Sequence, residues 1–286
     1  MFTVVALGGN AFSSGAPGLE EDRLQAAAED VLYLLTHGRV VVTHGNGPQV
    51  SAILSGDHLN LWEAVACTQG WMGASLADVL ETLIRKRGLN TKVVVLITRV
   101  VTKPSSTWFK PIGEPLDQLS ASQLVGAKLM RDSKGRLRRA VPSPEPLSIV
   151  EIDAINMLVK EGFLVICCGG GGVPVAEGER VEAVVDKDLA SQVLANDLGA
   201  DRLIILTDTD FVYLNYGTAQ QRPLSQLKVE EAMKLYAMGQ FGEGSMGPKV
   251  LAAARFIKNG GKEAYIGKLG RIREILSREE GTEVIQ

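Results

Sequence analysis

The chain has 286 residues, of which 45% are hydrophobic and 22% are charged, and its formal net charge is −3. This composition is typical of a folded enzyme and argues against a disordered or fibrous chain. The small acidic excess also argues against a general nucleic-acid-binding protein, because a solvated loop explains the one short basic cluster, Arg136, Arg138 and Arg139.

The few cysteines and histidines limit the chemistry of the chain. Cys67, Cys167 and Cys168 lack the paired spacing of a structural zinc site, and the latter two lie in an apolar run where they act as small hydrophobic residues. We therefore predict no protein-held metal and a reducing, cytoplasmic location. Residues 1–7 are apolar but too short to span a membrane, so we predict a first strand and no membrane partner.

Apolar runs alternate with amphipathic segments along the first third of the chain. We predict strands at residues 39–43 and 92–98, and helices at residues 20–37 and 61–87, the second of them interrupted at residues 68–70. Strands that are apolar on both faces and alternate with helices indicate a mainly parallel open sheet between two helix layers.

The alternation stops between residues 98 and 146, where proline, serine, glycine and charged residues dominate. One short helix is predicted near residues 121–129. A stretch of this length without regular elements is a lid, an excursion or a disordered linker. We favour a lid, because Trp108, Phe109 and Ile112 offer apolar surface for docking.

The second half of the chain repeats the alternation. A capping box at residues 148–151 predicts a helix up to Gly162, and the apolar run at 165–168 leads into four consecutive glycines. The further predicted elements are a helix after residues 186–188, a strand at 202–206, helices at 228–238 and up to 257, and short strands at 263–266 and 282–285. No linker divides the chain, so we predict one domain over residues 1–286, with lobes at 1–160 and 161–286.

Three glycine turns directly follow predicted strands, at Gly8, at Gly45 and at residues 169–172. Glycine permits positive φ and has no Cβ, so the N–H groups of such turns converge on an anion, most often a phosphate. The carboxyl ends of parallel strands meet at one edge of a sheet, which predicts a shared site. A tight turn would need fewer than four glycines, although the run does not match a P-loop.

Charged residues next to these turns are suited to phosphoryl transfer. Lys110, Lys187 and Lys249 are placed beside turns or helix starts, and this reaction needs positioned cations and N–H donors around the transferring group. Solvated surface positions are the alternative for each lysine. Asp188 and Asp208 are candidates to hold the lysines or to reach a magnesium ion carried by a nucleotide.

Other roles stay open for several of these residues. Asp186 and Asp188 also lie where helix N-caps are expected. His44 is assigned no catalytic role, because a lone histidine beside a turn also serves to fix that turn through hydrogen bonds.

Eight segments in order resemble the carbamate kinases of the amino-acid kinase family, from Ala6 to Gly281. They are residues 6–10, 43–50, 68–70, 110–113, 141–144, 169–175, 186–191 and 244–249. The Pro-Ser-Pro segment at 142–144 and the Gly-Ser-Met-Gly-Pro-Lys segment at 244–249 separate carbamate kinases from relatives that act on acetylglutamate, aspartate or UMP.

The resemblance implies reversible phosphoryl transfer between ATP and carbamate, with Mg²⁺, in a homodimer whose subunit is a three-layer α/β/α sandwich with a protruding lid-like excursion. It also implies the roles of individual residues. Lys110, Lys187, Asp188 and Lys249 would be catalytic, with Lys110 reaching the site from the excursion. The implied substrate-binding residues are Gly8, Gly9, Asn10, Gly45, Asn46, Gly47, Gly170, Gly171 and Gly172, and the implied nucleotide-binding residues are Asp208, Asp210, Tyr213, Met246 and Lys249.

The chain departs from the family pattern at the lid. Residues 98–103 lack the expected acidic residue and aspartate-proline pattern, and Trp108-Phe109 replaces a proline-threonine pair before Lys110. Two alternatives therefore remain: an amino-acid kinase with another small carboxylate acceptor, and a nucleotide-binding regulatory protein without turnover. The presence of Lys187, Asp188 and Lys249 favours an active enzyme.

Overall fold

A computed structural model of the chain describes residues 1–13, 18–56, 59–104, 108–113, 115–117, 128–131, 135–242 and 246–286. An eight-stranded sheet forms the centre of the fold. With strands numbered in chain order, its spatial order is β15 (Gln226–Lys228), β17 (Thr282–Ile285), β16 (Glu263–Lys268), β12 (Arg202–Thr207), β1 (Phe2–Leu7), β2 (Arg39–His44), β9 (Leu164–Ile166) and β3 (Val93–Val95). Among these described strands, β16 and β17 pair antiparallel and the other neighbours pair parallel.

Eight α-helices are described, and most of them cover the two faces of this sheet. They are α1 (Glu21–Leu35), α2 (Gly47–Gly56), α3 (Leu61–Lys86), α4 (Ile152–Lys160), α5 (Lys187–Asp197), α6 (Val229–Ala237), α7 (Gly247–Lys258) and α8 (Ile272–Leu276). Short 3₁₀ turns occupy Gly9–Ala11 and Gly169–Gly171.

The alternation of side chains along the strands explains the layers. In β1, Val4 and Ala6 pack into a core with residues of α4, α5 and α7, whereas Val5 and Leu7 pack into a second core with residues of α1, α3 and α8. Successive strand residues point to opposite faces, so a strand that is apolar throughout is covered on both sides. The predicted three-layer α/β/α sandwich is confirmed.

The remaining strands form three smaller sheets. One contains β11 (Glu179–Arg180), β10 (Val173–Ala176), β4 (Arg99–Thr102) and β8 (Pro146–Ile149), and a hairpin contains β13 (Val212–Leu214) and β14 (Arg222–Leu224). The third, which we call the lid sheet, contains β5 (Phe109–Ile112), β7 (Leu137–Pro142) and β6 (Leu129–Arg131). The expectation that residues 98–146 lack regular elements is therefore wrong. Short strands of mixed polarity show no clear hydrophobic periodicity, and β4 and β5 pair with strands that lie about 30 to 50 positions further along the chain.

The lid sheet docks on the body of the protein through one face. Ile112 and Val141 pack in a small core with Val50 of α2 and Leu61 of α3. Of the three residues predicted to dock the excursion, Ile112 does so, whereas Trp108 is 52% exposed and Phe109 is not part of this core. Of the helix predicted near residues 121–129, residues 121–127 lie outside the described residues, and Leu129 begins β6. The basic cluster extends into β7 rather than lying wholly in a loop.

Two further expectations about the helices are wrong. The helix over residues 61–87 continues through residues 68–70 without interruption. The predicted capping box at residues 148–151 is not formed, because residues up to Ile149 belong to β8 and the helix begins at Ile152. The Glu151 carboxylate instead accepts hydrogen bonds from the backbone N–H and the Nε of Arg99, both at 2.7 Å.

Candidate active site

The glycine turns after β1, β2 and β9 meet around a cavity of about 280 Å³. These strands are parallel neighbours, so their carboxyl ends lie at the same edge of the sheet, as predicted. Among the predicted site residues, those that line the cavity are Gly9, Gly45, Asn46, Gly47, Lys110, Gly170, Lys187, Asp188 and Lys249. Gly8, Gly171 and Gly172 belong to the same turns but not to the cavity wall, and the side chain of Asn10 lies outside the described part of the chain.

The turns approach each other too closely for side chains at two positions. A Cβ on Gly45 would lie 2.8 Å from the backbone nitrogen of Gly9. Gly170 has φ +63°, and a Cβ there would lie 2.0 Å from Nδ2 of Asn46. A Cβ atom does not approach other atoms this closely, so these glycines permit the close approach of the backbone that forms the cavity.

Asn46 is held by a buried neighbour. Its Nδ2 donates to Oγ1 of Thr68 at 2.8 Å, and Thr68 in turn donates to backbone carbonyls of α3. A residue that does not line the cavity, Thr68, thus fixes the side chain of Asn46. Such support preorganises a polar group for binding a ligand.

Asp188 lies between two lysines at the floor of the cavity. Lys187 Nζ donates to Oδ1 of Asp188, and Lys249 Nζ donates to Oδ2 at 3.1 Å. Asp188 is 2% exposed, and the two lysine side chains are each 12% exposed. Helices α5 and α7 pack against each other and so bring together residues that are 61 positions apart. Two cations thus border the cavity with one carboxylate between them.

The charges of this cluster depend on one another. Burial alone would raise the pKa of Asp188, but Lys187 and Lys249 outweigh it and hold that pKa well below its usual range. Burial lowers the pKa of Lys187, and Asp188 offsets this only in part. For Lys249, burial acts in the same direction, but Asp188 and Asp186 outweigh it and raise the pKa. An anion that enters the cavity would be attracted strongly by the lysines, because charges interact more strongly in a buried site of low dielectric constant than in water.

The two aspartates at the start of α5 have different roles. Asp186 is the N-cap: its Oδ1 accepts from the backbone N–H of Asp188 at 2.8 Å and of Leu189 at 3.1 Å. Its other oxygen, Oδ2, pairs with Lys110 of the lid sheet. Asp188 does not cap the helix but bridges the lysines. Asp186 therefore belongs to the site although it was predicted only as a cap.

His44 supports the second turn and faces the third. Its Nδ1 donates to the carbonyl of Gly45 at 3.1 Å, and a Cβ on Gly169 would lie 2.5 Å from its Nε2. Complete burial lowers the pKa of His44 to about 4, so the ring is neutral near neutral pH. The reading of His44 as a residue that fixes the turn fits this geometry, because Nδ1 is already used in the turn itself.

Of the residues predicted for the nucleotide, Lys249 lines the cavity, whereas Asp208, Asp210, Tyr213 and Met246 lie outside its wall. Tyr213 donates to Oδ1 of Asp210 at 2.8 Å, and this hydrogen bond, with burial, raises the pKa of Tyr213 to about 12. Asp208 is close enough to contribute to the electrostatic potential at Lys249. Met246 precedes α7 and packs against the core. Their role in nucleotide binding stays a prediction.

Among the described residues, no group of three or more His, Cys, Asp or Glu side chains is placed to hold a metal ion. Within the same part of the chain, no helix is long and apolar enough to cross a membrane.

Comparisons with known proteins identify the family of the chain. Residues 1–268 match the amino acid kinase family. The carbamate kinase of Pyrococcus horikoshii is 43% identical to this chain, with 98% of each chain covered. The structure of Giardia lamblia carbamate kinase bound to AMP-PNP is 34% identical with a TM-score of 0.88, covering 99% of this chain and 98% of that one. A crystal structure from Aeropyrum pernix K1 is 41% identical, also with a TM-score of 0.88, covering 100% and 99%.

Proposed function

Because the chain belongs to the amino acid kinase family and groups within it with the carbamate kinases, we propose that it catalyses reversible phosphoryl transfer between ATP and carbamate. The observation that carries the proposal is the cluster of Lys187, Asp188 and Lys249 opposite the glycine turns. Phosphoryl transfer needs mainly positioning and neutralisation of charge on the transferred group, and this cavity offers both.

The reaction can be written for either direction. In the direction of ATP formation, an oxygen of the ADP β-phosphate attacks the phosphorus of carbamoyl phosphate. The bond between that phosphorus and the carbamoyl oxygen breaks, and carbamate leaves. In the reverse direction, a carbamate oxygen attacks the γ-phosphorus of ATP and ADP leaves. Neither direction requires the protein to form a covalent bond.

The residues of the cavity have different roles in this reaction. Lys187 and Lys249 neutralise charge on the equatorial oxygens of the transferred group, and Asp188 keeps both lysines in position and charged. The N-terminus of α2, which begins at Gly47 on the cavity wall, adds N–H donors and the positive end of a helix dipole. Lys110 closes the cavity from the lid sheet, where it helps to exclude water.

Mg²⁺ enters this scheme as part of the nucleotide substrate. The carboxylates on the cavity wall, Asp186 and Asp188, are both paired with lysines, so they are poor candidates for a dedicated metal cage. Mg²⁺ in kinases is usually held by one or two carboxylates together with the phosphates of the substrate. We therefore assign it to ATP or ADP, with Asp208, whose charge acts on Lys249, as a further carboxylate to test.

We further propose that the protein acts in the cytoplasm as a homodimer. Several large apolar side chains are exposed, and exposed apolar surface is one mark of a contact between subunits. They include Trp71, Ile97, Leu147, Val150 and Met157. Light scattering coupled to size-exclusion chromatography tests this assembly, and a monomer at micromolar concentration would contradict it.

A coupled assay tests the activity directly. The purified protein, ADP, Mg²⁺ and carbamoyl phosphate should form ATP, measured through hexokinase and glucose-6-phosphate dehydrogenase. Acetyl phosphate in place of carbamoyl phosphate tests for another acceptor, and the Lys249→Ala variant controls for contaminating kinases. ATP formation with acetyl phosphate but not with carbamoyl phosphate would favour another acceptor. Nucleotide binding without turnover of either compound would favour a regulatory protein.

A further inference from the structure

The third glycine turn begins at a residue in an unfavourable backbone conformation. Cys168 has φ +50° and ψ +34°, in the left-handed region that residues with a side chain rarely adopt. It is fully buried, and Gly170, two residues further on, lines the cavity. Such a conformation persists only where the surrounding structure holds it in place. The contacts of Cys168 should therefore show what positions this turn.

Thr98 supplies the decisive contact. The backbone N–H of Cys168 donates to Oγ1 of Thr98 at 2.6 Å. Thr98 is fully buried and lies 70 positions earlier in the chain, after the last residues of β3. Its hydroxyl accepts this hydrogen bond and so must direct its own proton elsewhere.

Gln69 of α3 accepts a hydrogen bond from this hydroxyl and forms two more with the backbone of Thr98. Its Oε1 accepts from Oγ1 of Thr98 at 3.1 Å and from the backbone N–H of Thr98 at 3.0 Å. Its Nε2 donates to the carbonyl of Thr98 at 3.2 Å. The Gln69 side chain thus pairs with Thr98 as a neighbouring strand would, and at 1% exposure it has no competition from water.

The same glutamine also contacts the turn itself. A Cβ on Gly169 would lie 2.9 Å from Cγ of Gln69 and 2.5 Å from Nε2 of His44. Gly169 therefore lies between these two side chains. The carbonyl of Thr98 also accepts from the backbone N–H of Val173 at 2.9 Å, so Thr98 bonds to both sides of the turn.

We propose that Gln69 and Thr98 are positioning residues for the phosphoryl site: together they fix the turn at residues 168–172 and so place Gly170 at the cavity. They act through the turn and line no part of the cavity themselves. The inference rests on the proposed kinase activity for its kinetic test, but not for its structural test.

The test compares Thr98→Val with a matched control, Thr282→Val. Valine has the shape of threonine without the hydroxyl, and Thr282 is an equally buried threonine whose Oγ1 accepts from Val212 N–H at 2.8 Å and donates to the carbonyl of Leu224. Both variants lose a buried hydroxyl with two partners, but the hydrogen-bond partners of Thr282 among the described residues, Val212 and Leu224, do not line the cavity. Thr98→Ser keeps the hydroxyl and serves as the conservative variant.

Thr98→Val should lower kcat roughly 10- to 100-fold with the KM for ADP nearly unchanged, because a small displacement of a positioned group has effects of this size. Hydrogen–deuterium exchange at the amides of residues 168–172 should become faster. Thr282→Val should lower the melting temperature about as much as Thr98→Val does, but without the decrease in kcat and without faster exchange at residues 168–172. Thr98→Ser should retain most of the activity. Should Thr98→Val fail to fold, Gln69→Met, which removes the acceptor of the Thr98 hydroxyl, supplies the same comparison.

Unchanged exchange at residues 168–172 in the tested variant would overturn the inference, whether or not the protein is a kinase. Normal kcat per folded molecule would also overturn it. If the wild-type protein forms no ATP, the proposed function fails, but faster exchange in the variant would still support the role of Thr98 in fixing the turn.

Discussion

Lys110 of the lid sheet pairs with Asp186, the N-cap of α5, across 76 positions of the chain. One oxygen of Asp186 accepts from the helix backbone, so the other is held toward the cavity, where it meets the lysine. Lys110 is 27% exposed and Asp186 only 9%. The pair thus joins the lid sheet to the helix that carries Lys187 and Asp188, and it connects closure of the cavity with the charged cluster on its floor.

Lys110→Met should lower kcat while leaving the KM for ADP almost unchanged. Methionine keeps the length of the side chain and removes its charge, so the loss reports the electrostatic contribution of Lys110 to the transition state. We expect a decrease of roughly 10²-fold, typical for one such donor. Steady-state kinetics with carbamoyl phosphate and ADP provide the measurement. Lys103→Met, which alters an exposed lysine paired with Glu145, is the control, and equal kinetics for the two variants would exclude Lys110 from the mechanism.

Asp186→Asn should separate the two roles of this residue. The asparagine oxygen can still cap α5, so the melting temperature should change little. The charge that holds Lys110 is lost, so kcat should fall by about tenfold, less than in Lys110→Met. The double variant should be no worse than Lys110→Met alone, because both changes break one interaction. Additive losses in this double-mutant cycle would mean that the two residues act independently.

Lys249→Ala should decrease kcat by roughly 10²–10³-fold, because a cation directed at developing charge matters more in the transition state than in the ground state. Lys258→Ala changes another lysine of the same helix, at its exposed end, and should leave the kinetics unchanged. Activity within about tenfold of wild type would remove Lys249 from the proposed mechanism.

Asp188→Asn should reduce both activity and stability, since it leaves two buried lysines without their shared carboxylate. The melting temperature should recover in part when phosphate or carbamoyl phosphate is added, because an anion in the cavity restores the missing charge. Differential scanning fluorimetry with and without these anions measures this. Sodium chloride at matched ionic strength is the control, and equal recovery there would indicate screening rather than binding. Normal activity per folded molecule would make Asp188 a structural residue only.

We expect the free energy of unfolding to fall as pH rises, because of the buried carboxyl group of Asp30. It is buried on α1 and accepts from the backbone N–H of Gly270 at 2.6 Å, and burial raises its pKa from 3.8 to about 6. The folded state therefore binds a proton more tightly than the unfolded state. This difference contributes on the order of 3 kcal/mol to the free energy of unfolding. The contribution is fully present below about pH 4 and is lost as pH rises through about 6.

Asp30→Asn should remove this dependence, because the amide oxygen still accepts from Gly270 but does not ionise. Urea unfolding at several pH values between 4 and 7 gives the measurement. The exposed Asp153→Asn variant should keep the wild-type slope. A slope that survives in Asp30→Asn would assign the pH dependence to other groups.

Much of the architecture could be predicted from local sequence patterns. Apolar runs that are buried on both faces indicate a parallel sheet, and glycines directly after three of those runs indicate an anion site at the strand ends. Both signals lie within a few neighbouring residues, so no knowledge of distant contacts is required. The order of the eight motif segments likewise identified the family, which the comparisons confirm.

Only the tertiary structure decided which groups act on one another. Asp186 and Asp188 are equally plausible helix caps in the sequence, and the packing of α5 on α7 places Asp188 alone between the two lysines. In the lid sheet, β5 and β7 pair residues about 30 positions apart, as Lys110 with Val141, and short strands of mixed polarity give no periodic signal. Gln69 and Thr98 likewise meet only because α3 packs beside the sheet, since their hydrogen bonds depend on distances that the linear sequence does not contain.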